Sequence, residues 1–416
     1  MLALEYYRSI PRYLLAKFLS SLFPRRFFPR VVPLRLREVD FANPRPGWVV
    51  LRPLLCGICG SDLNLLRGME SYLLEPYASF PCILGHEVVA EVVEAEAQSG
   101  FTTGERVAVE PILACEARGS SPCRFCARGD YNLCEHFTGG ELPAGAILGF
   151  THRAGGGLAE FMAAPAAILF RLPPELPDET AVLMDSLASA LQPVLDNFPP
   201  DAATVVIYGA GIIGQQVLRG LRGLGCGARL VMVARYPFQE RLAVAGGADH
   251  VLLKPTRRQL GEVLGCKFLA TTLGGGNLEG GADFFFDCVG SKSSFQTGLL
   301  ALRARGTFVL VGTAGTVGPV DISSLWFREL RLTGSAMYAY GQVRGKRQRT
   351  YQVAVDLLAG KDYPAAGLVT HTFPLQDYRQ VFRAALDKRH HESVKVAVDL
   401  RQGMGAPRQG SKRKIS

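Results

Sequence analysis

The chain has 416 residues, enough for two domains that each bury a core, and its composition of 48% hydrophobic and 20% charged residues is ordinary for a globular protein. The formal net charge of +9 is concentrated at the two ends. Residues 1–30 contain six cations and one acid, and residues 401–416 contain five cations and no acid. The body of the chain is therefore close to neutral, which argues against a basic groove and against nucleic-acid binding.

No uninterrupted apolar run is long enough to cross a bilayer. Lys17 and several prolines interrupt the only early apolar stretch, so we identify no secretory signal and expect a cytoplasmic protein. Ten cysteines, several of them at short spacings, occur in this long chain. This pattern favours metal sites over a disulfide framework.

A basic amphipathic helix is predicted within residues 10–32. Leu14, Phe18 and Leu22 share one helical face, and Lys17 lies on the opposite one. The interpretation that we favour is that the apolar face packs on the same chain or on a partner subunit. The alternative is that this helix lies on an anionic membrane surface.

The next motif is "CGICGSDLN", in which Cys56 and Cys59 are three positions apart, a spacing typical of a metal-binding or redox-active pair. Further along, His86 in "GHE" and Asp185 in "LMDSLASAL" add an imidazole and a carboxylate. One thiolate, one imidazole and one carboxylate leave a fourth coordination position open, as catalytic zinc requires. Since these residues are far apart along the chain, ordinary packing of His86 is the alternative.

Four cysteines lie close together in "CEARGSSPCRFCARGDYNLC", namely Cys115, Cys123, Cys126 and Cys134. Four thiolates on a short loop can complete a tetrahedral zinc site with no open position, and such a site stabilises a lobe that lacks a core of its own. An iron–sulfur cluster is the main alternative, and disulfides are the weaker one. We favour structural zinc.

Residues 204–335 alternate continuous apolar runs, such as "ATVVIYG" and "RLVMVA", with helical stretches. This alternation predicts parallel strands buried on both faces of a doubly wound α/β domain. The run "GAGIIG" follows the first of these strands and opens a helix. In it Gly209 permits the tight turn, Gly211 admits a pyrophosphate and Gly214 allows close helix packing. A glycine-rich turn without a ligand is the alternative.

The following strand ends with Ala234 and Arg235, at the place where an NAD site has an acid and an NADP site has an arginine. No acid follows before Glu240. We therefore favour NADP and keep NAD as the alternative, because a lone surface arginine is often merely solvated.

Together these residues resemble the zinc-dependent medium-chain dehydrogenase/reductase family, which includes alcohol, sorbitol, butanediol and threonine dehydrogenases. The resemblance covers nearly the whole chain and runs, in the family's order, through "GICGSDL", "GHEVVAEVVE", "GERVAVEP", "GDYNLCE", "GGLAEF", "GAGIIG", "FFDCVG" and "GTFVLVGTAG". It implies an α/β protein in which a GroES-like β-rich catalytic domain is split by a Rossmann domain with a doubly wound parallel sheet. The active site is then expected in the cleft between the two domains.

The resemblance also implies domain boundaries. The N-terminal part of the catalytic domain is expected at residues 1–186, with the insert at 10–32 and the zinc lobe at 115–134 inside it. The Rossmann domain is expected at 187–337 and the C-terminal part of the catalytic domain at 338–400. The basic tail, residues 401–416, is expected to be disordered.

The resemblance further implies roles for single residues. Cys59 and His86 correspond to ligands of the catalytic zinc. Glu87 corresponds to an acid behind the metal that exchanges onto it in some members, and Asp185 to a third ligand. Cys56 matches a variable position and is expected to be a packing residue.

Ser61 corresponds to the hydroxyl that accepts the substrate proton and passes it outward. Beside the three glycines, further residues are expected to line the cofactor site: Ile212, Ile213, Ala234, Arg235, Val289 and Gly312. The implied reaction is hydride transfer between NAD(P) and an alcohol or polyol, or the matching aldehyde or ketone, with zinc polarising the substrate oxygen. Two zinc ions per chain and a homo-oligomer, either dimer or tetramer, are expected with it.

The chain departs from the family in three places. Asn64 stands where many members have a histidine that ends the proton relay, and an asparagine does not titrate. "EARGSSP" separates Cys115 from Cys123, a longer spacing than usual, which makes Cys115 the least secured of the four lobe ligands. The third departure is the insert at residues 10–32.

A catalytically silent relative that uses the fold for binding or structure is the alternative from a different functional class. The presence of Cys59, Ser61, His86 and Glu87, together with the glycine motif, argues against it. No short motif identifies the substrate, because selectivity in such pockets comes from side chains on several loops.

Overall fold

The computed structural model describes residues 1–41, 44–312, 315–360 and 363–401. Its strands, in chain order, are β1 (Leu2–Tyr6), β2 (Leu34–Glu38), β3 (Trp48–Gly57), β4 (Cys82–Ile83), β5 (Glu87–Glu94), β6 (Arg106–Val109), β7 (Met162–Pro165), β8 (Leu169–Arg171), β9 (Thr204–Tyr208), β10 (Arg229–Ala234), β11 (His250–Leu253), β12 (Lys267–Leu269), β13 (Asn277–Glu279), β14 (Ala282–Asp287), β15 (Leu302–Leu310), β16 (Arg331–Gly334), β17 (Tyr340–Val343), β18 (Lys346–Arg349), β19 (Val369–Pro374) and β20 (Lys395–Asp399).

The α-helices, in chain order, are α1 (Ile10–Leu22), α2 (Gly60–Arg67), α3 (Arg124–Ala127), α4 (Asp178–Ala181), α5 (Met184–Asp196), α6 (Ile212–Gly223), α7 (Pro237–Ala245), α8 (Arg257–Val263), α9 (Lys292–Ala301), α10 (Ser323–Phe327), α11 (Thr350–Ala359), α12 (Tyr378–Leu386) and α13 (Lys388–His391). Two short 3₁₀ turns, Tyr72–Tyr77 and Glu116–Arg118, matter for the sites below. Within the described ranges, no helix combines the length and the apolar character that crossing a membrane requires.

The chain forms two compact units. One contains Met1–Asp185 and the residues from Val369 onward, and the other contains Ser186–Leu368. The chain thus returns from the second unit to the first after residue 368, later than the expected 337. The reason is that the intervening segment bonds to the second unit: Gln192 accepts hydrogen bonds from Ala339 N (2.9 Å) and Thr350 Oγ1 (2.7 Å). The tail predicted to be disordered lies outside the described residues from position 402 onward.

The first unit is built on a mainly antiparallel sheet with the order β19-β20-β3-β5-β6-β8, in which β7 also pairs with β3. Its central strand, β3, reads "WVVLRPLLCG" and is buried along most of its length. The hydrophobic core of the first unit lies on this sheet and includes Val49, Leu51 and Val88. A separate small sheet has the order β2-β1-β4.

The second unit is a six-stranded parallel sheet with the order β11-β10-β9-β14-β15-β16. Val205 and Ile207 of β9 belong to one apolar core and Val206 belongs to another, so both faces of the sheet are covered. The strand order reverses between β9 and β14, and ligands of such sheets bind at this switch point. The predicted fold class, an α/β protein with a doubly wound parallel sheet and a β-rich unit, is confirmed.

Candidate catalytic metal site, metal lobe and cofactor site

The pairing of three strands explains how residues far apart in sequence meet. Gly57, at the end of β3, lies opposite Glu87 of β5 on one side and Ala397 of β20 on the other. Cys59 follows the end of β3, and His86 directly precedes β5. The sheet register therefore places a thiol, an imidazole and a carboxylate side by side.

The ligand atoms of Cys59, His86 and Glu87 all lie within 4.8 Å of one another. His86 and Glu87 are buried and Cys59 is half-buried. Asp185 is also buried, in the first turn of α5, but it does not belong to this close group. After burial, Asp62 and Cys59, its carboxylate is a further, electrostatic contribution to the raised pKa of His86.

Asp62 is completely buried behind His86 and was assigned no role from the sequence. Its Oδ2 accepts a hydrogen bond from the backbone N–H of Cys59 at 2.9 Å, and its Oδ1 lies 3.8 Å from Nδ1 of His86. Burial raises the pKa of Asp62. Burial lowers the pKa of His86, but Asp62 and Cys59 outweigh burial and raise it to about 10. The site therefore favours a positive charge.

Glu87 is held by Lys395, the first residue of β20. Nζ of Lys395 lies 2.6 Å from one carboxylate oxygen and in direct contact with the other, and both side chains are 1% exposed. Burial lowers the pKa of Lys395, but the attraction of Glu87 more than compensates, so the ammonium stays charged. Gly57 makes room for the pair, because a Cβ at this position would collide with the Glu87 carboxylate.

The residues present fit a zinc ion. A thiolate, an imidazole and carboxylates are the donors that zinc uses in catalytic sites. Nδ1 of His86 and Oδ1 of Asp62 are buried without a hydrogen-bond partner among the described residues. A carboxylate facing the second ring nitrogen of a metal-bound histidine is a recurrent arrangement that orients the ring.

Ser61 and Asn64 lie on α2, which begins immediately after Cys59. Both side chains are half-buried. Cys56 is completely buried, with its Sγ close to Gly85 and Gly157, and burial raises the pKa of its thiol well above the ordinary value. A buried thiol of this kind is unreactive, so the structure favours packing over redox chemistry for Cys56.

The four cysteines of the lobe also converge: the Sγ atoms of Cys115, Cys123, Cys126 and Cys134 lie within 4.8 Å of one another, and all four are free thiols. Sγ of Cys115 is 3.5 Å from that of Cys134, well beyond the length of a disulfide. Backbone N–H groups donate to three of these sulfurs, for example from Cys123 to Cys115 at 3.3 Å. Burial raises the pKa of Cys123, but the hydrogen bonds that its own sulfur accepts, first of all from the backbone N–H of Cys126, outweigh burial and lower it to about 6.

The longer spacing after Cys115 does not remove it from the group. The extra residues form the 3₁₀ turn Glu116–Arg118. Arg118 is completely buried and donates hydrogen bonds to the carbonyl oxygens of Leu113 (2.8 Å) and Gly139 (2.8 Å), among others. This guanidinium fixes the turn independently of a metal. His136 Nδ1, which sequence reasoning passed over, lies 3.3 Å from Sγ of Cys115.

In the second unit, the glycine motif has the geometry expected of a dinucleotide site. Gly209 has a φ of +104°, and a Cβ on Gly214 would collide with the carbonyl of Gly209. A Cβ on Gly211 would meet no atom within 4 Å, so packing does not require glycine there. Gly211 is the N-cap of α6 and, as a glycine, makes no side-chain cap hydrogen bond to the N–H groups of the first turn. These groups can receive a phosphate.

Val289 and Gly312 lie at the same switch point. A Cβ on Gly209 would touch Cγ2 of Val289, and a Cβ on Gly312 would touch the backbone of Val289 and Gly290. Ile212 and Ile213 open α6 beside them. The structure thus brings together the residues that the sequence assigned to the centre of the cofactor site.

Arg235 directly follows β10 and is exposed, and Tyr236 separates it from the start of α7. Its backbone N–H donates to Gln239 Oε1 at 3.0 Å, and its guanidinium lies 5.6 Å from the ring centre of Tyr236. The neighbouring strand adds a second exposed cation, Lys254, whose N–H donates to the carbonyl of Ala234 at 3.0 Å. Sequence reasoning missed Lys254, because only the strand pairing places it beside Arg235.

A buried metal-binding group in one unit and a phosphate-binding turn at the switch point of the other define a metal-dependent dehydrogenase. The Alcohol dehydrogenase GroES-like domain matches residues 45–174, and the Zinc-binding dehydrogenase domain matches residues 213–360.

Two curated enzymes are similar over most of the chain. Erythritol/L-threitol dehydrogenase of Mycolicibacterium smegmatis is 28% identical over 88% of this chain and 94% of its own. Human sorbitol dehydrogenase is 27% identical over 84% and 88%, respectively. Among solved structures, a putative zinc-binding dehydrogenase from Sinorhizobium meliloti bound to NADP superimposes with a TM-score of 0.68 at 26% identity, covering 88% of this chain and 96% of that one.

The chain belongs to the zinc-dependent medium-chain dehydrogenase/reductase family. It is a zinc-dependent oxidoreductase of the alcohol dehydrogenase type that uses a nicotinamide cofactor. The predicted family and enzyme class are confirmed, and the alternative of a catalytically silent relative is not supported.

Proposed function

We propose that the protein is an NADP-preferring dehydrogenase that oxidises a hydroxyl group of a small polyol, with its catalytic zinc held by Cys59, His86 and a carboxylate. The observation that carries this proposal is the convergence of Cys59, His86 and Glu87 over the buried Asp62. Zinc in such a site acts as a Lewis acid that polarises the substrate oxygen. The similar erythritol/L-threitol and sorbitol dehydrogenases support a polyol.

Other side chains of this protein orient the ligands and carry the proton in the proposed reaction. Asp62 orients the imidazole of His86 from behind. Lys395 holds both oxygens of Glu87, which supports Asp185 rather than Glu87 as the carboxylate that would hold the zinc. Ser61, in the first turn of α2, accepts the proton of the substrate hydroxyl. With Asn64 in place of a titrating group, the proton leaves through water.

The test is a panel of alcohols, polyols, amino alcohols and aldehydes, assayed separately with NADP and NAD. We expect turnover of at least one polyol and reduction of the matching ketone, with a higher kcat/KM for NADP. Turnover confined to amino alcohols would contradict the polyol assignment. A higher kcat/KM for NAD would contradict the cofactor assignment.

We expect two zinc ions per chain, one in each cysteine-containing group. Cys123→Ser should leave one zinc per chain and lower Tm by about 5–10 °C, because a structural zinc site contributes folding free energy. Elemental analysis and thermal unfolding measure both effects. Cys226→Ser, at a buried cysteine outside both groups, is the control and should keep two. Two zinc ions in the Cys123 variant would contradict the assignment of the lobe.

The preference for NADP rests on Arg235 and Lys254, which place two exposed cations at the carboxyl ends of neighbouring strands. Arg235→Ala should lower the ratio of kcat/KM for NADP to that for NAD by about 10- to 100-fold, the value of a charge-assisted hydrogen bond. Arg229→Ala, at the opposite end of β10, is the matched control and should leave the ratio unchanged. An unchanged ratio in both variants would contradict the role of Arg235.

We further propose, from the family resemblance, that the protein forms a dimer or a tetramer. Light scattering measures the mass directly.

A further inference from the structure

The N-terminal helix α1 packs with the opposite orientation to the one its sequence favours. Its buried residues are the small Ala16 and Ser20, each 2% exposed. Most of its large apolar side chains are exposed, and Phe18 is 60% exposed. We expected the apolar face to pack on the same chain or on a partner subunit; packing on the same chain is wrong for the described residues, and packing on a partner subunit stays a prediction. The exposed set, spaced mainly four residues apart, is Ile10, Leu14, Leu15, Phe18 and Leu22.

The 3₁₀ turn Tyr72–Tyr77 lies beside α1. Nζ of Lys17 donates to the hydroxyl of Tyr72 at 2.9 Å and lies 4.4 Å from the centre of its ring. On this turn Leu73 is 84% exposed, and Leu74 and Tyr77 are exposed as well. We call the exposed apolar side chains of α1 and of this turn the N-terminal patch. Several exposed apolar side chains on neighbouring elements indicate an interaction site.

The charges around the N-terminal patch are mostly positive. Five arginines on or near α1 are exposed: Arg12 lies in the first turn of the helix, and Arg8, Arg25, Arg26 and Arg30 flank it in sequence. The exposed acid of the neighbouring turn is Glu75, which lies 3.9 Å from Arg8. Glu5, the acid of this N-terminal segment, is buried and bound to Arg35 and Arg37. The N-terminal patch therefore combines an apolar face with an unbalanced positive rim.

We propose that the N-terminal patch docks on the surface of an anionic lipid membrane, with α1 lying in the plane of the headgroups. Aliphatic and aromatic side chains can enter the boundary of the acyl chains while flanking arginines pair with lipid phosphates. A second copy of this chain fits less well, because a two-fold interface places the same surface against itself and brings like charges together. The enzyme would thereby lie on a membrane without spanning it.

The test is flotation of the purified full-length protein with vesicles. Vesicles of phosphatidylcholine with about 30% phosphatidylglycerol should carry the protein at low salt, and vesicles of phosphatidylcholine alone should carry much less. Raising the salt concentration should release it, since the attraction of the rim is screened. No flotation with the anionic vesicles at low salt would overturn the proposal.

Two variants separate the apolar and the electrostatic contributions. Leu14→Ser/Phe18→Ser should lower the partition coefficient at least about tenfold, because two exposed apolar side chains are lost. Arg25→Glu/Arg26→Glu should lower it about tenfold or more on anionic vesicles. Since these side chains are exposed, circular dichroism should show an unchanged fold. Unchanged flotation of both variants would overturn the proposal.

The matched control is Trp326→Ser/Phe327→Ser, which removes two exposed aromatic residues from the other unit and should not change flotation. Equal loss in this control would show nonspecific adhesion and overturn the proposal. A third variant, Phe18→Trp, reports depth: its added indole should be quenched by brominated acyl chains. Loss of a dimer on Leu14→Ser/Phe18→Ser, measured by light scattering without any flotation of the parent protein, would assign the N-terminal patch to a second copy instead.

Discussion

Replacing Cys59 with alanine should lower kcat/KM by about a thousandfold or more and reduce the zinc content by one ion per chain. The ligand atom of Cys59 lies within 4.8 Å of those of His86 and Glu87, so its loss removes the only sulfur donor of this close group. Lewis-acid stabilisation of a developing alkoxide contributes several kcal/mol, and about 4 kcal/mol corresponds to a thousandfold change in rate. Steady-state kinetics and elemental analysis of the same preparation measure both effects.

Cys56 provides the matched control, since it belongs to the same motif three residues earlier. Cys56→Ala should keep both zinc ions and the activity, because this thiol is buried against Gly85 and Gly157 outside the metal-binding group. A comparable loss of zinc in the two variants would show that the cysteines act as a pair. Full activity of Cys59→Ala would refute the site itself.

Replacing Lys395 with methionine should lower the free energy of unfolding by about 3–5 kcal/mol. The variant leaves the Glu87 carboxylate buried without its cation, and breaking a buried ion pair from one side has a cost of this size. Denaturant unfolding monitored by fluorescence and circular dichroism measures the change. The effect does not require a bound metal.

Two comparisons test whether the loss of stability in Lys395→Met comes from the unpaired charge of Glu87. Glu87→Gln/Lys395→Met should recover most of the stability, because neither position of the pair then carries a buried charge. Lys267→Met breaks the exposed pair with Glu279, whose atoms are 3.6 Å apart, and should cost less than about 1 kcal/mol. If Lys395→Met cost no more than Lys267→Met, the buried pair would not have the importance that we assign to it.

The parts of the fold that follow from local pattern could be predicted. Continuous apolar runs and the "GAGIIG" turn identify the parallel sheet, because both signals lie within one short segment. The later boundary of that unit could not be placed from local pattern. The hydrogen bonds of Gln192 with Ala339 and Thr350 join residues that are 147 and 158 positions apart in sequence.

In the candidate sites, too, some residues could be predicted from the sequence and others could not. Cys59, His86 and the four lobe cysteines are recognisable by residue type, and the structure brings each set together. Asp62 and Lys395 were overlooked, because their importance lies in burial and in strand register. A lysine within the apolar strand "SVKVAVDL" was the available signal, since a charged residue in a buried strand needs a partner.

The orientation of α1 marks the limit of reasoning from periodicity. The spacing of Leu14, Phe18 and Leu22 identifies an apolar face, but periodicity does not say what covers that face. Here the small side chains Ala16 and Ser20 permit the closer approach to the rest of the unit.

The strand register around Gly57 also constrains the order in which the protein matures. The metal-binding group depends on β3 and β5 near the beginning of the chain, whereas Lys395, the counter-ion of Glu87, lies near its end. A ribosome must therefore synthesise all of residues 186–368 before β20 can join this sheet. The parallel-sheet unit is a continuous segment and can fold first during translation. The nascent β-rich unit must meanwhile keep Glu87 without its cation, and its sheet is completed only when the last strand emerges.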